Sequence, residues 1–184
     1  MYEFFWSEFA DWYIEIAKGQ IDQGGMAAYS AGLTLVHVLD QTLRMLHPFI
    51  PFVTEAAWGH LKRAAGTSLA PRGGWAEALI IARWPETGRG LDPEAESDMA
   101  LVIELIRSIR NVRGEYKVQP GKRISALIAA GDQTALLTVQ RPVLEQLARL
   151  DGETLQIQPA LDPPEQVASI VVGGVTCYLP LAGM

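Results

Sequence analysis

Apolar residues recur at helical spacing from the start of the chain. In residues 2–18, "YEFFWSEFADWYIEIAK", two adjacent stripes are mainly aromatic when positions are advanced by about 100° per residue. The opposite side carries acids and a single lysine. This pattern is typical of an amphipathic helix whose aromatic face packs in a core, and it is far less typical of an exposed ligand-binding surface. The inner stripe comprises Phe5, Phe9, Trp12 and Ile16, and the stripe beside it Tyr2, Trp6 and Tyr13.

A second helix is predicted from about Met26 to His47, and a third begins at Pro51. Pro48 ends the second helix because proline disfavours a helical conformation in the residue before it, whereas Pro51 suits a first helical position. We therefore expect three antiparallel helices joined by short breaks. The inner face of the second comprises Ala28, Ala31, Leu35, Val38, Leu39, Thr42 and Leu46, and the outer face His37, Asp40, Gln41 and Arg44.

Residues 66–90 are irregular and rich in glycine and proline, with one apolar run, "ALIIARW", that could lie extended across the bundle. Asp92 then caps a fourth helix, with Pro93 at its first position, and the helix runs to about Tyr116. Its apolar face repeats every three or four residues, which predicts packing against the first three helices. That face comprises Leu101, Leu105, Ile109 and Val112.

The apolar period changes after Pro120 and Gly121. Two short strands, at residues 123–130 and 153–159, flank a helix that is interrupted or restarted at Pro142. Two more strands surround Gly173 and Gly174, a two-glycine hairpin turn. The predicted fold class is α+β: a mainly helical antiparallel bundle over residues 1–118, followed by a small β-α-β-β domain over residues 119–184.

Composition narrows the function classes. Half of the residues are apolar, yet no run approaches the roughly 18 needed to span a bilayer, and no signal peptide is recognisable. One cysteine, Cys177, and three scattered histidines do not form a metal-ligand set. No phosphate-binding glycine loop or nucleophile motif occurs, and His47 is interpreted as a helix-end residue that bonds nearby carbonyls. We expect a cytoplasmic protein without a catalytic site, metal or cofactor in this chain.

Positive charge is concentrated in one stretch. Between Glu104 and Arg123 six bases face two acids, a local charge of +4 in a chain of net charge −6, so the remainder carries −10. The four bases on the fourth helix share an arc of about 120° and could meet one nucleic-acid backbone, although a solvated helix face is an equally plausible interpretation. The candidate RNA-binding residues are Arg107, Arg110, Arg113, Lys117, Lys122 and Arg123.

Four segments in order resemble the C-terminal part of bacterial valyl-tRNA synthetases: "YEFFWSEFADWYIEIAK", "LRMLHPFIPFVTEAAW", "IRSIRNVRGEYKVQPGKRI" and "VVGGVTCYLPLAGM". The resemblance implies an anticodon-binding helical bundle and the small domain after it. It also implies that the family's catalytic domain, which uses ATP and Mg²⁺, its editing domain and its coiled-coil arm are not in this chain. The implied partners are valine-specific tRNA and the remainder of the synthetase, with no DNA or membrane partner.

Two alternatives stay open on the residues alone. The chain could be a free-standing paralogue that acts as a protein-interaction or assembly module, in which the basic helix meets an acidic partner. It could also be the equivalent part of an isoleucyl-type ligase, which would change only the amino acid and tRNA served. The resemblance assigns no individual anticodon-reading residue.

Overall fold

The computed structural model describes residues 3–71, 73–86 and 90–183. These residues form six α-helices and a four-stranded mixed sheet, which confirms the predicted α+β class. Contacts between residues group the chain into two compact units, one up to residue 89 and one from Gly90 onward. The fourth helix therefore belongs to the same unit as the sheet. The predicted domain boundary between residues 118 and 119 stays a prediction.

The first unit is helical. A π-helical segment, Phe4–Tyr13, continues directly into α1, Ile14–Gln23, and α2 and α3 span Gly25–Leu46 and Pro51–Ala65. Gly24 alone separates α1 from α2, with φ of 74° in the left-handed region that glycine enters without steric cost. Helix α1 packs against α2, and α2 packs against α3. The predicted short breaks between the first three helices are confirmed.

The aromatic face of the first helix is buried along its centre only. Phe9, Trp12 and Ile16 are buried, which confirms the core interpretation for three residues of the inner stripe, whereas Phe5 is half-buried. Trp6, in the second stripe, is 56% exposed, so the prediction that this whole stripe is buried was wrong. Tyr2, in the same stripe, lies outside the described residues. The Ile14 N–H bonds to the Phe9 carbonyl, five residues back. Such bonding widens the turn, so stripes derived for an α-helix do not hold over this segment.

Asp40 was predicted on the outer face of α2, and this was wrong. Its side chain is buried because α3 packs against that face of the helix, where Trp58 Nε1 donates to Asp40 Oδ1 at 2.8 Å. The segment after α3 contacts the same helix, since Arg44 Nη1 donates to the Arg83 carbonyl at 2.9 Å. The backbone N–H of Leu79 donates to the Glu55 carboxylate at 2.9 Å. Leu79–Ile81 forms a 3₁₀ turn with Leu79 buried. The prediction that the apolar run "ALIIARW" lies extended was therefore also wrong.

The second unit begins with α4, Pro93–Glu115, whose predicted cap is confirmed: Asp92 accepts a hydrogen bond from the Ala95 N–H at 3.0 Å. Helices α5, Thr134–Val139, and α6, Arg141–Leu147, follow, with α6 restarting at Pro142 as predicted. Helix α4 contacts α6 and the sheet. Its packing against the first three helices stays a prediction. The fully buried side chains of α4 are Val102, Leu105, Ile106 and Ile109.

The sheet has the order β2-β1-β4-β3, with β1 parallel to β2 and the other pairs antiparallel. Its strands are β1, Leu127–Ala129; β2, Gln156–Gln158; β3, Val167–Val172; and β4, Val175–Pro180. The β-α-β-β order is thus confirmed. Gly173 and Gly174 connect β3 to β4 with φ of 53° and 80°, the positive values that a two-residue hairpin turn requires.

One row of side chains crosses the sheet and faces the core. Ile128 pairs with Ile157 and Cys177, and Cys177 pairs with Ile170. Residues directly opposite each other in a sheet lie on the same face, so the row forms one apolar layer. Burial raises the pKa of the Cys177 thiol to about 12, which keeps it protonated inside this layer.

Candidate nucleic-acid interface

The basic residues predicted on α4 separate into exposed and buried members. Arg107 and Arg110 are exposed on the helix, whereas Arg113 is 7% exposed. Beyond the helix, Lys117, Lys122 and Arg123 are exposed. The structure therefore places five of the six predicted residues at the surface, and it gives Arg113 a different position from the one expected.

Arg113 organises the chain that leaves α4. Its Nη2 donates to the carbonyls of Lys122 at 2.8 Å and Gln119 at 3.3 Å, and its Nη1 donates to the Arg149 carbonyl at 3.4 Å. Burial, and after it the positive charge of Arg149, lowers the pKa of this guanidinium from its ordinary value. A cation held on backbone carbonyls in this way fixes the loop on which the exposed lysines stand.

Two of the exposed arginines are attached to α6 and the turn after it. Arg110 Nε donates to the Leu147 carbonyl at 2.8 Å, and Arg123 Nη1 donates to the Leu150 carbonyl at 2.8 Å. These carbonyls lie at or just beyond the last turn of α6, where a cation also complements the helix dipole. The side chains are consequently positioned by the fold and retain exposed surface.

Lys117 ends α4 in a left-handed conformation, with φ of 53°. The N–H of Val118 donates to the Arg113 carbonyl at 2.9 Å, and the N–H of Lys117 donates to the Gly114 carbonyl at 3.1 Å. These two bonds make a Schellman motif, in which glycine is the usual residue at the left-handed position. The lysine is held at the end of the helix, with its side chain in solvent.

Arg149 is a basic surface residue that the sequence reasoning missed. It occupies the corresponding left-handed position after α6, with φ of 56°, and the Leu150 N–H bonds to the Glu145 carbonyl at 3.1 Å. The usual signal for such a position is glycine or asparagine, and neither is present here. Arg149 is exposed and joins Arg110 and Arg113 in lining a cleft of about 290 Å³ between the ends of α4 and α6.

The remaining candidate features are His47, groups of metal-ligating side chains, and long apolar helices. His47 Nδ1 lies 2.8 Å from the Thr54 hydroxyl, so the predicted bonding to carbonyls was wrong and the partner is a side chain. Over the described ranges, no group of three or more His, Cys, Asp or Glu side chains could hold a metal ion. In the same ranges, every helix is too short or too polar to cross a membrane.

Known proteins match this chain over its whole length. Residues 1–128 match the family model described as "Anticodon-binding domain of tRNA ligase". The full chain is 38% identical to the valine–tRNA ligase of Thermosynechococcus vestitus and 37% identical to that of Bacillus cereus. It is 38% identical to the valine–tRNA ligase of Geobacter sulfurreducens. The chain spans about a fifth of the length of these relatives. Because the family model covers well over half of its residues, the chain belongs to the anticodon-binding domain family of tRNA ligases.

Proposed function

We propose that this chain is the part of a valine–tRNA ligase that holds valine-specific tRNA while the enzyme joins valine to it with ATP. The observation that carries the proposal is the family match over residues 1–128, which includes the whole of α4 and all six of the predicted RNA-binding residues. The relatives named valine–tRNA ligase support valine over isoleucine as the amino acid served.

The charge distribution supports an RNA partner. The basic surface consists of the five exposed predicted residues and Arg149, and it stands out in a chain of net charge −6. Arginine and lysine side chains bind phosphates with little regard to base sequence, so this surface would contribute affinity and orientation. Recognition of the anticodon bases would come from other residues. The members are Arg107, Arg110, Lys117, Lys122, Arg123 and Arg149.

Catalysis and cofactor binding would lie elsewhere in the ligase. Adenylate formation requires groups that cradle phosphates and hold Mg²⁺. The sequence of this chain contains no glycine-rich loop of that kind leading into a helix. We therefore expect the chain by itself to bind no ATP or Mg²⁺. The family match supports two further parts of the proposal: the chain acts in the cytoplasm, and its protein partner is the rest of a synthetase.

Replacing Lys117 by Asn and Lys122 by Gln tests the RNA role. Asparagine tolerates the left-handed conformation at position 117, and both lysine side chains are exposed, so the melting temperature should stay within a few degrees. We expect weaker binding to valine tRNA in a filter-binding salt titration. The slope of log K against log[salt] should fall by roughly one unit for each phosphate that the variant no longer neutralises.

The matched control removes two positive charges from the first unit, with Lys18→Gln and Arg63→Gln. Both control residues are exposed on helices, so their replacement alters net charge equally and leaves the basic surface intact. The proposed role requires a larger loss of affinity in the first pair than in the control. Equal affinities and equal slopes for wild type and the Lys117/Lys122 variant would show that the surface is only a solvated face.

A further inference from the structure

Three arginines line one cleft where α4 and α6 end. Arg110, Arg113 and Arg149 line the same cleft of about 290 Å³, and no carboxylate is among its lining residues in the described part of the chain. Neighbouring like charges destabilise one another, and an anion bound between them removes that cost. The positive charge of Arg149 is already a cause of the lowered pKa of Arg113.

The walls of the cleft are held in place by hydrogen bonds. Arg113 is fixed on the carbonyls of Lys122, Gln119 and Arg149, and the backbone of Arg149 is fixed by the turn that ends α6. The Arg149 side chain has no hydrogen-bond partner among the described residues. A non-glycine residue in the left-handed region is uncommon, and such strain is concentrated at functional sites.

We infer that this cleft binds one phosphate group of the RNA backbone, with Arg149 as its principal side-chain ligand and Arg113 as a fixed positive charge beneath it. The inference rests on the proposed function and makes it more specific. Guanidinium groups match phosphate oxygens in a bidentate geometry. No aromatic side chain lines the cleft within the described residues, so it lacks a platform for stacking a base. The other lining residues are Gly114, Val118, Pro120, Leu147 and Ala148.

Arg149→Gly is the direct test, because glycine fits the positive φ at this position and should leave the melting temperature unchanged or higher. In a salt titration against valine tRNA, we expect about tenfold weaker binding at moderate salt, which is the effect of removing one charge-assisted hydrogen bond. The slope of log K against log[salt] should fall by about one unit.

Arg149→Lys should recover the slope and part of the affinity, since it restores the charge without the bidentate geometry. Arg63→Gln serves as the control for loss of one surface charge.

Inorganic phosphate separates failure of this site from failure of the proposed function. In ¹H–¹⁵N spectra of the full chain, phosphate should shift the signals of residues 113–118 and 147–150 in wild type and not in Arg149→Gly. If tRNA binds wild type and Arg149→Gly with equal affinity and slope, the inference is wrong and the proposed function stands. If phosphate shifts these signals but tRNA does not bind, the anion site stands and the proposed function fails. Absence of phosphate-dependent shifts around the cleft would also overturn the inference.

Discussion

Asp40 shows how a single buried carboxylate joins two helices at the residue scale. Trp58 Nε1 in α3 donates to its Oδ1 at 2.8 Å, and Arg44 Nε lies 3.1 Å from both carboxylate oxygens. Trp58 itself is fully buried, and its ring forms a T-shaped pair with that of Trp75 at a centroid distance of 5.7 Å. One acid thus satisfies a buried indole N–H and the Nε of a largely buried arginine, whose positive charge it also balances.

Asp40→Ala should lower the free energy of unfolding by about 3 kcal/mol, because it leaves a buried indole N–H without its acceptor and a largely buried cation without its counter-ion. Asp40→Asn should cost less, since it retains one acceptor oxygen. Denaturant unfolding followed by circular dichroism measures both changes.

The control for Asp40 is Asp22→Ala, which removes an exposed acid near the end of α1. Substitutions at such surface positions usually change stability by less than about 0.5 kcal/mol. If Asp40→Ala were no more destabilising than this control, the carboxylate would not be a structural acceptor.

Burial also separates Arg110 from Arg113, two residues with the same chemistry one helical turn apart. Arg110 is exposed and bonds the Leu147 carbonyl through Nε, whereas Arg113 is buried and its guanidinium is held on three backbone carbonyls. Removing Arg113 would disturb the loop that carries Lys117 and Lys122. Its substitution is therefore a poor probe of RNA binding, and exposed residues are preferred for that purpose.

At the scale of elements, the first helix owes its stability to one face. Phe9 is 2% exposed and Trp12 is 7% exposed, whereas Trp6 in the same segment is 56% exposed. The rings of Phe9 and Tyr13 stack at a centroid distance of 5.9 Å, so neighbouring aromatics extend the buried face. The helix accordingly contributes one wall of a core.

Trp12→Ala should lower the free energy of unfolding by about 3–5 kcal/mol, the usual cost of truncating a buried tryptophan. Trp6→Ala, in the same helix, should cost less than about 1 kcal/mol because more than half of that side chain is already in solvent. Thermal melts of the two variants give the comparison. Equal melting temperatures would contradict the buried position of Trp12 and revive the hypothesis of an aromatic binding surface.

At the scale of the whole molecule, α4 is the element that decides where the second unit begins. Four of its apolar side chains are fully buried, and the helix packs on α6 and β3. A methyl group added at Gly173, in the β3–β4 turn, would lie 2.6 Å from Leu101 Cδ1, which shows how closely the helix and hairpin approach. The sheet therefore completes its core with a helix that precedes it in sequence.

Two fragments test this boundary. Residues 90–184 should fold alone with a cooperative melt, because they contain the whole unit defined by contacts. Residues 119–184 lack α4, and each buried Leu, Ile or Val removed with it contributes roughly 1.5–3 kcal/mol, so the sum is comparable with a typical domain stability of about 5–15 kcal/mol. We expect this shorter fragment to be unfolded. A cooperative melt of the shorter fragment at the same temperature would instead place the boundary between residues 118 and 119.

The sequence by itself determined the order of the α-helices and β-strands, and the family. Pro51, the Asp92–Pro93 cap, the restart at Pro142 and the Gly173–Gly174 turn are local signals, because each acts through the backbone of its own residue or its nearest neighbours. The order of these elements was predictable for the same reason, and the ordered motifs carried the resemblance that the family match confirmed.

Only the tertiary structure decided which polar residues are buried and which basic residues share a surface. Asp40 is buried because Trp58 of the following helix packs against its face of α2, and Arg113 is buried because the loop after α4 folds back over it. Arg149 joins Arg110 because α4 and α6 end side by side. Helical periodicity describes the faces of one element only, and burial depends on what the remote parts of the chain place against each face.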